Sequence, residues 1–339
     1  MTVTSKGYAA ALRPGGPVRH SRISGVGGYR PTRIVPNAEI VDRIESTDEW
    51  IQERSGIRER RWAGPEEGLI DMSAWAAEPA LAMAGISGDQ VDAVIMATVS
   101  WPYQTPAAAP LLAERLGSKG AAFDISAACA GYCHGIAIAS DLVRGGQADH
   151  VLVVGVERLS DFTDPTDRST AFLFGDGAGA VVVSAADTPG IGPTIWGSDG
   201  AQWDVISQRE SWIDVHQQGL GWPTIGMAGQ TVFRWAVWGM APVAKRALEA
   251  AGITADQLDA FLPHQANARI IDAMVKQLRL PADVPVARDI ALTGNTSAAS
   301  IPLAMERMIR HGEIPRGGLA LQIGFGAGLA YAAQVVVIP

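Results

Sequence analysis

The chain has 339 residues, of which 38 are glycine and 18% are charged, and its formal net charge is −8. Few charges and many small residues predict broad buried surfaces, which excludes a disordered chain and favours an oligomer. An acidic chain without a cluster of lysine or arginine disfavours nucleic-acid binding. No apolar run approaches the roughly 18 residues of a membrane span. Residues 1–20 lack the apolar region of a signal peptide, so we expect a cytoplasmic protein with a short flexible N-terminal extension.

The chain contains an internal repeat. A helix, a glycine stop, a polar turn and an apolar strand are predicted over residues 80–95, ALAMAGISGDQVDAVI, and again over 247–262, ALEAAGITADQLDAFL. Nine of these sixteen positions are identical at an offset of 167 residues. Two glycine-rich stretches, FGDGAGAVVV and FGAGLAYAAQVVV, also recur late in each half. The repeat predicts two fused α/β halves, 21–190 and 191–339, with a site at their seam.

The stretch FDISAACAGYCHGIAIASDLVRGG carries the first candidate for chemistry. FDIS is a strand fragment, and small residues lead from it into an apolar helix, so Cys129 stands at a strand-to-helix junction. A thiol at a helix N-terminus feels unpaired backbone N–H groups and the positive end of the dipole, which favour the thiolate. A small buried thiol is the competing interpretation of Cys129. Cys133 lies one turn later and is predicted to be core.

Other motifs are better explained by structure than by ligands. FGDGAGA has the glycine spacing of a dinucleotide-binding loop, but a strand follows it where that loop requires a helix. The chain has no phosphate-binding GxxxxGK[ST] motif. Its six histidines show no metal-ligand spacing with one another or with the cysteines, so no metal is expected.

The second half supplies two polar candidates, His264 and Asn295. His264 follows the predicted strand DAFLP, at the end of a strand where sites of α/β proteins gather. Asn295 lies in GNTSAAS, before the predicted helix IPLAMERMIR. A lone histidine and a Gly-Asn turn are also common structural features. The repeat favours chemistry, because matching DLVRGG (141–146) to RMIRHG (307–312) at an offset of 166 places Cys129 over Asn295.

Five motifs together resemble the β-ketoacyl-acyl carrier protein synthase III family: STDEWIQERSGIRER, DISAACAGY, PTDRSTAFLFGDGAGA, LPHQANARII and GNTSAASIPLA. The resemblance runs in order from about Ser21 to Pro339. It implies the thiolase-like, duplicated five-layer α-β-α-β-α fold, usually as a homodimer. It also implies a decarboxylative Claisen condensation of an acyl-CoA starter with malonyl-acyl carrier protein, which initiates fatty acid or polyketide biosynthesis. Acyl-CoA is then a substrate, and no cofactor is expected.

The resemblance also implies roles for the candidate residues. Cys129 would attack the acyl-CoA and hold the acyl group as a thioester. His264 and Asn295 would bind the malonyl thioester carbonyl and stabilise the enolate, because both side chains can donate hydrogen bonds to a developing negative charge. The backbone N–H groups of Cys129 and Ala327 would form the oxyanion hole. Family members usually have glycine where Ala327 stands.

Further residues match the family's binding positions. Trp50 and Arg168 would lie on the two faces of the CoA adenine, since an aromatic ring and a guanidinium plane both stack on a purine. Arg54 and Asn267 would contact the pantetheine and phosphates. Arg269 would contact the acidic carrier protein near the tunnel mouth.

The acyl pocket departs from the family pattern. Thr105, in VSWPYQTPAAAP, stands where acetyl-preferring members have Phe, in a loop that closes the pocket from the opposite subunit. The smaller side chain implies room for longer or branched starters. Phe325 is a second predicted pocket residue, and the Trp-rich segment 199–222 is expected to border the tunnel.

Two alternatives remain beside this interpretation. An acyltransferase of the same scaffold, acting in secondary metabolism, would move the acyl group without decarboxylation. The presence of both His264 and Asn295 disfavours it, since transfer alone needs less of the enolate-stabilising pair. A non-catalytic partner subunit would have lost the nucleophile, and Cys129 is present.

Overall fold

The computed structural model describes residues 19–339. Arg19 Nη2 donates hydrogen bonds to the carbonyl oxygens of Val143 and Ala148, at 3.1 and 2.7 Å, and His20 begins the first strand. Residues 19 and 20 therefore belong to the fold rather than to the predicted extension over 1–20. The other residues of that extension lie outside the described part of the chain.

The strands of the described residues are β1 (His20–Tyr29), β2 (Arg33–Pro36), β3 (Glu59–Trp62), β4 (Ala93–Ala97), β5 (Ala121–Ile125), β6 (His150–Glu157), β7 (Gly177–Ala186), β8 (Ile195–Gly197), β9 (Ile206–Gln208), β10 (Ile225–Met227), β11 (Ala260–Pro263), β12 (Leu319–Phe325) and β13 (Tyr331–Val337). The α-helices are α1 (Asp48–Ser55), α2 (Leu69–Ala84), α3 (Ala109–Leu116), α4 (Gly131–Arg144), α5 (Trp212–Gln218), α6 (Gly229–Ala251), α7 (Ala268–Leu278), α8 (Ile290–Thr293) and α9 (Ser300–Arg310). No described helix combines the length and hydropathy that crossing a membrane requires.

Two main sheets have matching strand orders. The first sheet is β1-β7-β6-β4-β5, and the second is β8-β13-β12-β11, which a parallel bridge between Phe261 and Val286 extends. Each sheet has two antiparallel pairs followed by parallel pairs, in the same order from its first strand. The duplication predicted from the sequence is therefore confirmed in the topology. The predicted boundary at residue 190 falls between β7 and β8 and stays a prediction.

Helices and sheets alternate in five layers. Helices α2 and α3 cover the outer face of the first sheet, and α4 and α9 lie between the two sheets. Helices α6 and α7 cover the outer face of the second sheet. Three buried apolar clusters fill the spaces between these layers. Cys133 is fully buried in the central cluster, as predicted. The five-layer fold is thus confirmed.

Local capping explains why the repeated sequence is so similar in the two halves. Helices α2 and α6 both end at a glycine in the left-handed conformation, Gly85 with φ 70° and Gly252 with φ 71°. A capping box then begins at Ser87 in one copy and at Thr254 in the other. Left-handed backbone favours glycine, and the capping box needs a hydroxyl followed by a glutamine, so each turn restricts its own sequence.

The central helices begin in the same way in both halves. The 3₁₀ turn Ala128–Ala130 precedes α4, and the turn Ser297–Ala299 precedes α9. Each turn opens on a residue with left-handed backbone, φ 44° at Ala128 and φ 48° at Ser297. These two starting residues are therefore structural equivalents, at an offset of 169 residues.

This equivalence corrects one sequence prediction. The structural mate of Cys129 is Ala298, the middle residue of its turn, and not Asn295. The offset of 166 is correct at the C-terminal ends of the helices, where DLVRGG and RMIRHG lie. Helix α4 has 14 residues and α9 has 11, so the alignment shifts by three residues along the helix. Asn295 still lies beside the site, two residues before the turn.

The glycine-rich segment FGDGAGA leads directly into β7, at Gly177. A dinucleotide-binding loop needs a helix at this place, so that the pyrophosphate meets the helix N-terminus. The structure confirms that this segment is not such a loop.

Candidate active site

A cavity of about 670 Å³ lies at the seam between the two halves. Residues from both halves line it, and they include nine of the predicted site residues: Trp50, Arg54, Cys129, Arg168, His264, Asn267, Arg269, Asn295 and Phe325. Two predicted residues, Thr105 and Ala327, are not among the lining residues. Within residues 19–339 no group of three or more His, Cys, Asp or Glu side chains could hold a metal ion.

Cys129 reaches the cavity from the 3₁₀ turn before α4. Its side chain is partly exposed, whereas Cys133, inside the helix, is fully buried. Removal from water raises the pKa of the Cys129 thiol to about 12, and the charge of the nearby Glu157 carboxyl acts in the same direction. The Ser297 side chain acts in the opposite direction and lowers this pKa. The helix N-terminus lies where the sequence predicted it, and the thiolate stays a prediction.

The loop after β12 passes close to the nucleophile. A Cβ at Gly326 would lie 3.0 Å from the Cys129 Sγ and 2.8 Å from its Cβ, so this position excludes larger residues. The Gly326 N–H donates to the Ala330 carbonyl oxygen, at 3.0 Å. The next amide belongs to Ala327, which begins a short turn. The role of Ala327 in an oxyanion hole stays a prediction.

His264 follows directly after β11 and is 1% exposed. Its backbone N–H donates to the Ile323 carbonyl oxygen, and its Nδ1 lies 2.8 Å from the Ser300 Oγ. The Gln265 N–H points at the same oxygen, at 3.4 Å. Among the described residues the Ser300 hydroxyl has no other acceptor for its proton, so we assign that proton to the bond with His264 Nδ1 and the ring proton to Nε2.

Burial lowers the pKa of His264 to about 3, so the imidazole is neutral. The ring packs edge-on against Phe325, with centroids 5.3 Å apart. A neutral ring whose Nδ1 is already bonded to Ser300 presents Nε2–H to the cavity as a hydrogen-bond donor. It is a weak base, because gaining a proton would place a positive charge on a buried ring.

Asn295 is fixed by backbone and side chain together. Its N–H donates to the Leu173 carbonyl oxygen at 2.8 Å, and its own carbonyl oxygen accepts from the Gly175 N–H at 3.0 Å. The side-chain Oδ1 accepts from the Ser297 N–H, at 2.8 Å. The amino group Nδ2 is then the part of the amide that remains for the cavity. His264 and Asn295 thus supply two neutral donors to the cavity that Cys129 also lines.

The entrance of the cavity contains the predicted nucleotide-binding residues. The Arg168 guanidinium lies 4.7 Å from the centre of the Trp50 ring, and Arg54 lies 5.9 Å from it. Arg168 therefore occupies the face of Trp50 on which the resemblance placed an adenine. The Arg168 side chain is exposed, and the binding of adenine at this place stays a prediction.

Asn267 has a structural role, as the N-cap of α7, that was not predicted from the sequence. Its Oδ1 caps α7 by accepting from the Arg269 N–H at 2.9 Å, and its Nδ2 donates to the Arg54 carbonyl oxygen at 2.8 Å. Arg269 lies at the mouth, with its guanidinium 5.0 Å from the centre of the Phe233 ring. Asn267 therefore joins α1 to the start of α7 at the cavity entrance.

Of the two predicted pocket residues, Phe325 lines the cavity and Thr105 does not. Phe325 is 2% exposed and forms part of the cavity wall, packed against Trp235 with centroids 6.2 Å apart. Thr105 lies in an exposed loop between β4 and α3, away from this chain's cavity. Its predicted role depends on a second subunit and stays a prediction.

The first turns of α6 line the cavity, and sequence reasoning did not find them. These residues are Gly229, Gln230, Val232, Phe233, Arg234 and Trp235. Of the Trp-rich segment 199–222, Ile206 reaches the cavity, while Trp212 and Trp222 pack on each other with centroids 5.3 Å apart. The spacing of aromatic residues in α6 could have indicated that this helix lines the cavity, but the same spacing is equally typical of a helix in the core.

Comparisons with known proteins agree with this geometry. The sequence profile described as 3-Oxoacyl-[acyl-carrier-protein (ACP)] synthase III matches residues 123–200, and the profile of its C terminal matches residues 248–338. The chain is 56% identical, over 340 residues, to beta-ketoacyl-[acyl-carrier-protein] synthase III 1 of Streptomyces coelicolor, with 97% of this chain and 99% of the relative covered. It is 57% identical, over 330 residues with the same coverage, to beta-ketoacyl-[acyl-carrier-protein] synthase III of Streptomyces glaucescens.

A solved structure gives the same result. The priming β-ketosynthase from the R1128 polyketide biosynthetic pathway matches with a TM-score of 0.94 and 48% identity, covering 97% of this chain and 99% of that one. Sequence identity above one half, nearly complete coverage and a shared fold all point to one group of condensing enzymes. The chain therefore belongs to the β-ketoacyl-acyl carrier protein synthase III family.

Proposed function

We propose that this protein condenses an acyl-CoA starter with malonyl-acyl carrier protein, in the cytoplasm and as a homodimer. The products are β-ketoacyl-acyl carrier protein, CoA and CO2, and the reaction initiates fatty acid or polyketide biosynthesis. One observation carries the proposal: a single cavity joins the Cys129 thiol to two neutral donors, His264 Nε2–H and Asn295 Nδ2–H.

The first half-reaction is acyl transfer to Cys129. The sulfur attacks the carbonyl carbon of the acyl-CoA thioester, a carbon–sulfur bond forms, and the bond to the CoA sulfur breaks. The backbone amides of Cys129 and Ala327 would stabilise the oxyanion that develops on the way. Trp50, Arg168 and Arg54 at the entrance suit the adenine and phosphates of CoA, because they offer a flat ring and two cations.

The second half-reaction is decarboxylation and carbon–carbon bond formation. The malonyl thioester oxygen accepts hydrogen bonds from His264 and Asn295 while the bond to CO2 breaks and its electrons form an enolate. The enolate carbon then attacks the acyl carbonyl on Cys129 and displaces the sulfur. Neutral donors suit this step, because an acidic imidazolium would protonate the enolate before it could attack.

Surface features support the proposed binding of a carrier protein and of a second subunit. Arg269 and Arg234 lie at the mouth of the cavity, where positive charge suits an acidic carrier protein. Strand β5 is paired with β4 and forms the edge of the first sheet in the described part of the chain. A second copy could continue the sheet across this edge. Light scattering on the purified protein tests the homodimer directly.

The alternative function is acyl transfer without decarboxylation. His264 is held as a donor by Ser300, and Asn295 is held as a donor by Ser297. Two fixed donors are more than acyl transfer to a second thiol requires. The presence of β-ketoacyl product, in place of an acylated acceptor, distinguishes the two functions.

The test is incubation with a panel of acyl-CoAs and malonyl-acyl carrier protein, with products and acyl-enzyme measured by mass spectrometry. We expect Cys129→Ala to abolish both acyl-enzyme and product. Cys133→Ala is the matched control, since it removes the other thiol of the same segment, which is buried outside the cavity. Undiminished acylation of Cys129→Ala, or wild-type enzyme that is never acylated by any acyl-CoA, would overturn the proposed function.

A further inference from the structure

Helix α6 carries an exposed tryptophan that the mechanism above does not use. Trp238 is 71% exposed. Among the described residues its ring stacks on no aromatic or cationic side chain. The exposed Trp212 and Trp222, in contrast, pack on each other. Isolated apolar residues are common on protein surfaces, so the surroundings of Trp238 decide whether it has a function.

The first relevant feature is the distance of Trp238 from the cavity mouth. Arg234, one helical turn earlier on α6, is exposed and lines the cavity. Residues four apart on a helix share a face, so the two side chains lie on the same side of α6. At 1.5 Å per residue, Trp238 lies about 6 Å further along the helix than Arg234. The indole is therefore beside the entrance but is not among the residues that line the cavity.

Helix α7 lies next to this part of α6. The two helices meet at the cavity mouth, where Arg269 packs on α6. Further along, the Gln277 Nε2 donates a hydrogen bond to the Val237 carbonyl oxygen, at 2.6 Å. Lys276 precedes Gln277 and is exposed. Trp238 and Lys276 are therefore at the same level of the two helices, and both lie on the side of the molecule where the cavity opens.

The charge around Trp238 is positive, although the chain as a whole has a formal net charge of −8. Arg234, Arg269 and Lys276 are all exposed, and within residues 19–339 none of them forms an ion pair. Asp272, the acidic residue of α7, is paired at 2.8 Å with an arginine outside the two helices. Four residues thus form what we call the α6–α7 surface: Arg234, Trp238, Arg269 and Lys276.

We propose that the α6–α7 surface docks malonyl-acyl carrier protein and that Trp238 is its apolar anchor. This inference rests on the proposed function and identifies where the second substrate is held. The three cations attract an acidic protein. A tryptophan surrounded by charged residues is the usual composition of an interface hot spot, since the charged rim excludes water from the apolar contact. The pantetheine arm enters the cavity while the carrier protein itself stays on the surface.

A cationic surface with a tryptophan also suits an anionic membrane. The carrier protein is the better occupant, because the α6–α7 surface borders the mouth through which its malonyl group must pass. A membrane would not require the surface to be at this place. Acyl-CoA is a poorer occupant still, since it has no protein surface to cover a side chain that lies outside the cavity.

The test measures condensation with malonyl-acyl carrier protein varied at saturating acyl-CoA, and separately the rate at which acyl-CoA acylates the enzyme. In Trp238→Ala we expect the KM for malonyl-acyl carrier protein to rise roughly tenfold, with kcat and the acylation rate unchanged. Trp238→Phe should recover most of the affinity, because it keeps an aromatic ring. A purely structural defect would lower the acylation rate and the melting temperature as well.

Salt separates the anchor from the charges of the same surface. We expect the KM of the wild-type enzyme for malonyl-acyl carrier protein to rise with ionic strength, because salt screens exposed charges. Lys276→Ala should weaken this dependence, since it removes a cation. Trp238→Ala should keep it, since the indole is uncharged. Loss of the salt dependence in Trp238→Ala would contradict the role of an apolar anchor.

Leu111→Ala is the matched control. Its side chain is apolar and 48% exposed, but it lies on α3, which covers the outer face of the first sheet rather than the second. It should keep the wild-type KM for both substrates. Trp238→Ala with an unchanged KM for malonyl-acyl carrier protein would overturn the proposal. If that variant also lost binding to phosphatidylglycerol vesicles, the surface would be a membrane site. A failure of the proposed function is distinct, because the wild-type enzyme would then form no β-ketoacyl product.

Discussion

His264 illustrates how single residues are tuned in this site. Its pKa is lowered to about 3 by burial, and Ser300 occupies its Nδ1. Asn295 is restricted in the same way, because the Ser297 N–H occupies its Oδ1. The group of each side chain that remains for hydrogen bonding is a donor, Nε2–H of His264 and Nδ2–H of Asn295. We therefore expect both residues to stabilise charge and not to move protons.

This assignment predicts a separation of the two half-reactions. We expect His264→Ala and Asn295→Ala to form acyl-enzyme at nearly the wild-type rate, but to lose condensation by roughly a hundredfold or more, which is the usual effect of removing one oxyanion donor. Acyl-enzyme by intact-protein mass and β-ketoacyl product by chromatography give the two rates. Equal loss of both rates would show that the residues act in acylation as well.

The same assignment predicts how condensation depends on pH. Starting from acylated enzyme, we expect a constant condensation rate between about pH 5 and about pH 8, because His264 stays neutral throughout that range and gains a proton only near its pKa of about 3. The rate after acylation is measured with malonyl-acyl carrier protein in excess. A titration of this step near pH 6 to 7 would mean that His264 ionises during condensation.

Elements differ in how much of them the sequence reveals. The ends of α2 and α6 were predictable because a left-handed glycine and a capping box are local features. The sequence also predicted that Cys129, His264 and Asn295 meet in one cavity, because their motifs are distinctive. The sequence did not predict which residues match at the starts of the two central helices. Helix α4 is three residues longer than α9, and a difference in length inside a helix leaves no turn signal. The pKa shift of the Cys129 thiol could not be predicted from the sequence either, because Glu157 and Ser297, which both affect it, come from distant parts of the chain.

The loop between β4 and α3 is the element that bears on the choice of starter. Trp101 and Tyr103 pack on each other, with centroids 5.1 Å apart, and the Trp101 indole N–H donates to the Pro106 carbonyl oxygen at 3.0 Å. Trp101 also packs against a buried apolar cluster of the first half, whereas Thr105 is small and exposed.

We expect Thr105→Phe to narrow the range of starters toward acetyl-CoA, because the larger side chain would fill the acyl pocket of the opposite subunit. The measurement is kcat/KM for a series of acyl-CoAs of increasing length and branching. Thr105→Ser is the control, as it keeps the small volume and should keep the wild-type range. An unchanged range in Thr105→Phe would show that this loop does not border the acyl pocket.

At the scale of the whole molecule, the site needs both halves at once. Cys129 comes from the 3₁₀ turn before the central helix of the first half, and His264 and Asn295 come from the second half. The arginines that line the cavity are exposed, whereas His264 and Phe325 in its wall are buried. Near Cys129 the protein also buries the Glu157 carboxyl, which ends β6.

The buried carboxyl predicts a change of stability with pH. The pKa of Glu157 is about 7 in the folded protein against 4.5 as its ordinary value, so the folded state binds the proton more tightly and loses stability as pH rises between these values. Above pH 7 this loss amounts to about 3 kcal/mol of the free energy of unfolding, and Glu157→Gln removes it. We expect its melting temperature to exceed that of the wild type at about pH 8 and to approach it at about pH 5.

Differential scanning calorimetry at the two pH values measures this difference. Glu66→Gln is the control, because its side chain is exposed and removing its charge leaves the interior unchanged. A Glu157→Gln variant that is less stable than the wild type at about pH 8 would contradict the prediction, and would mean that the carboxylate contributes more through its hydrogen bonds than it costs by desolvation.

The two equivalent turns before α4 and α9 also bear on how the enzyme evolved. Ala128 and Ser297 share a backbone conformation that L-amino acids rarely adopt, at φ 44° and 48°. Together with the repeated sequence and the matching strand orders, these matching turns indicate that both halves descend from one ancestral unit. In an ancestor built from two identical subunits, both turns carried the same side chains, so one could not specialise without the other. Gene fusion freed each copy to mutate separately, and a nucleophile in one half could then be matched by hydrogen-bond donors in the other.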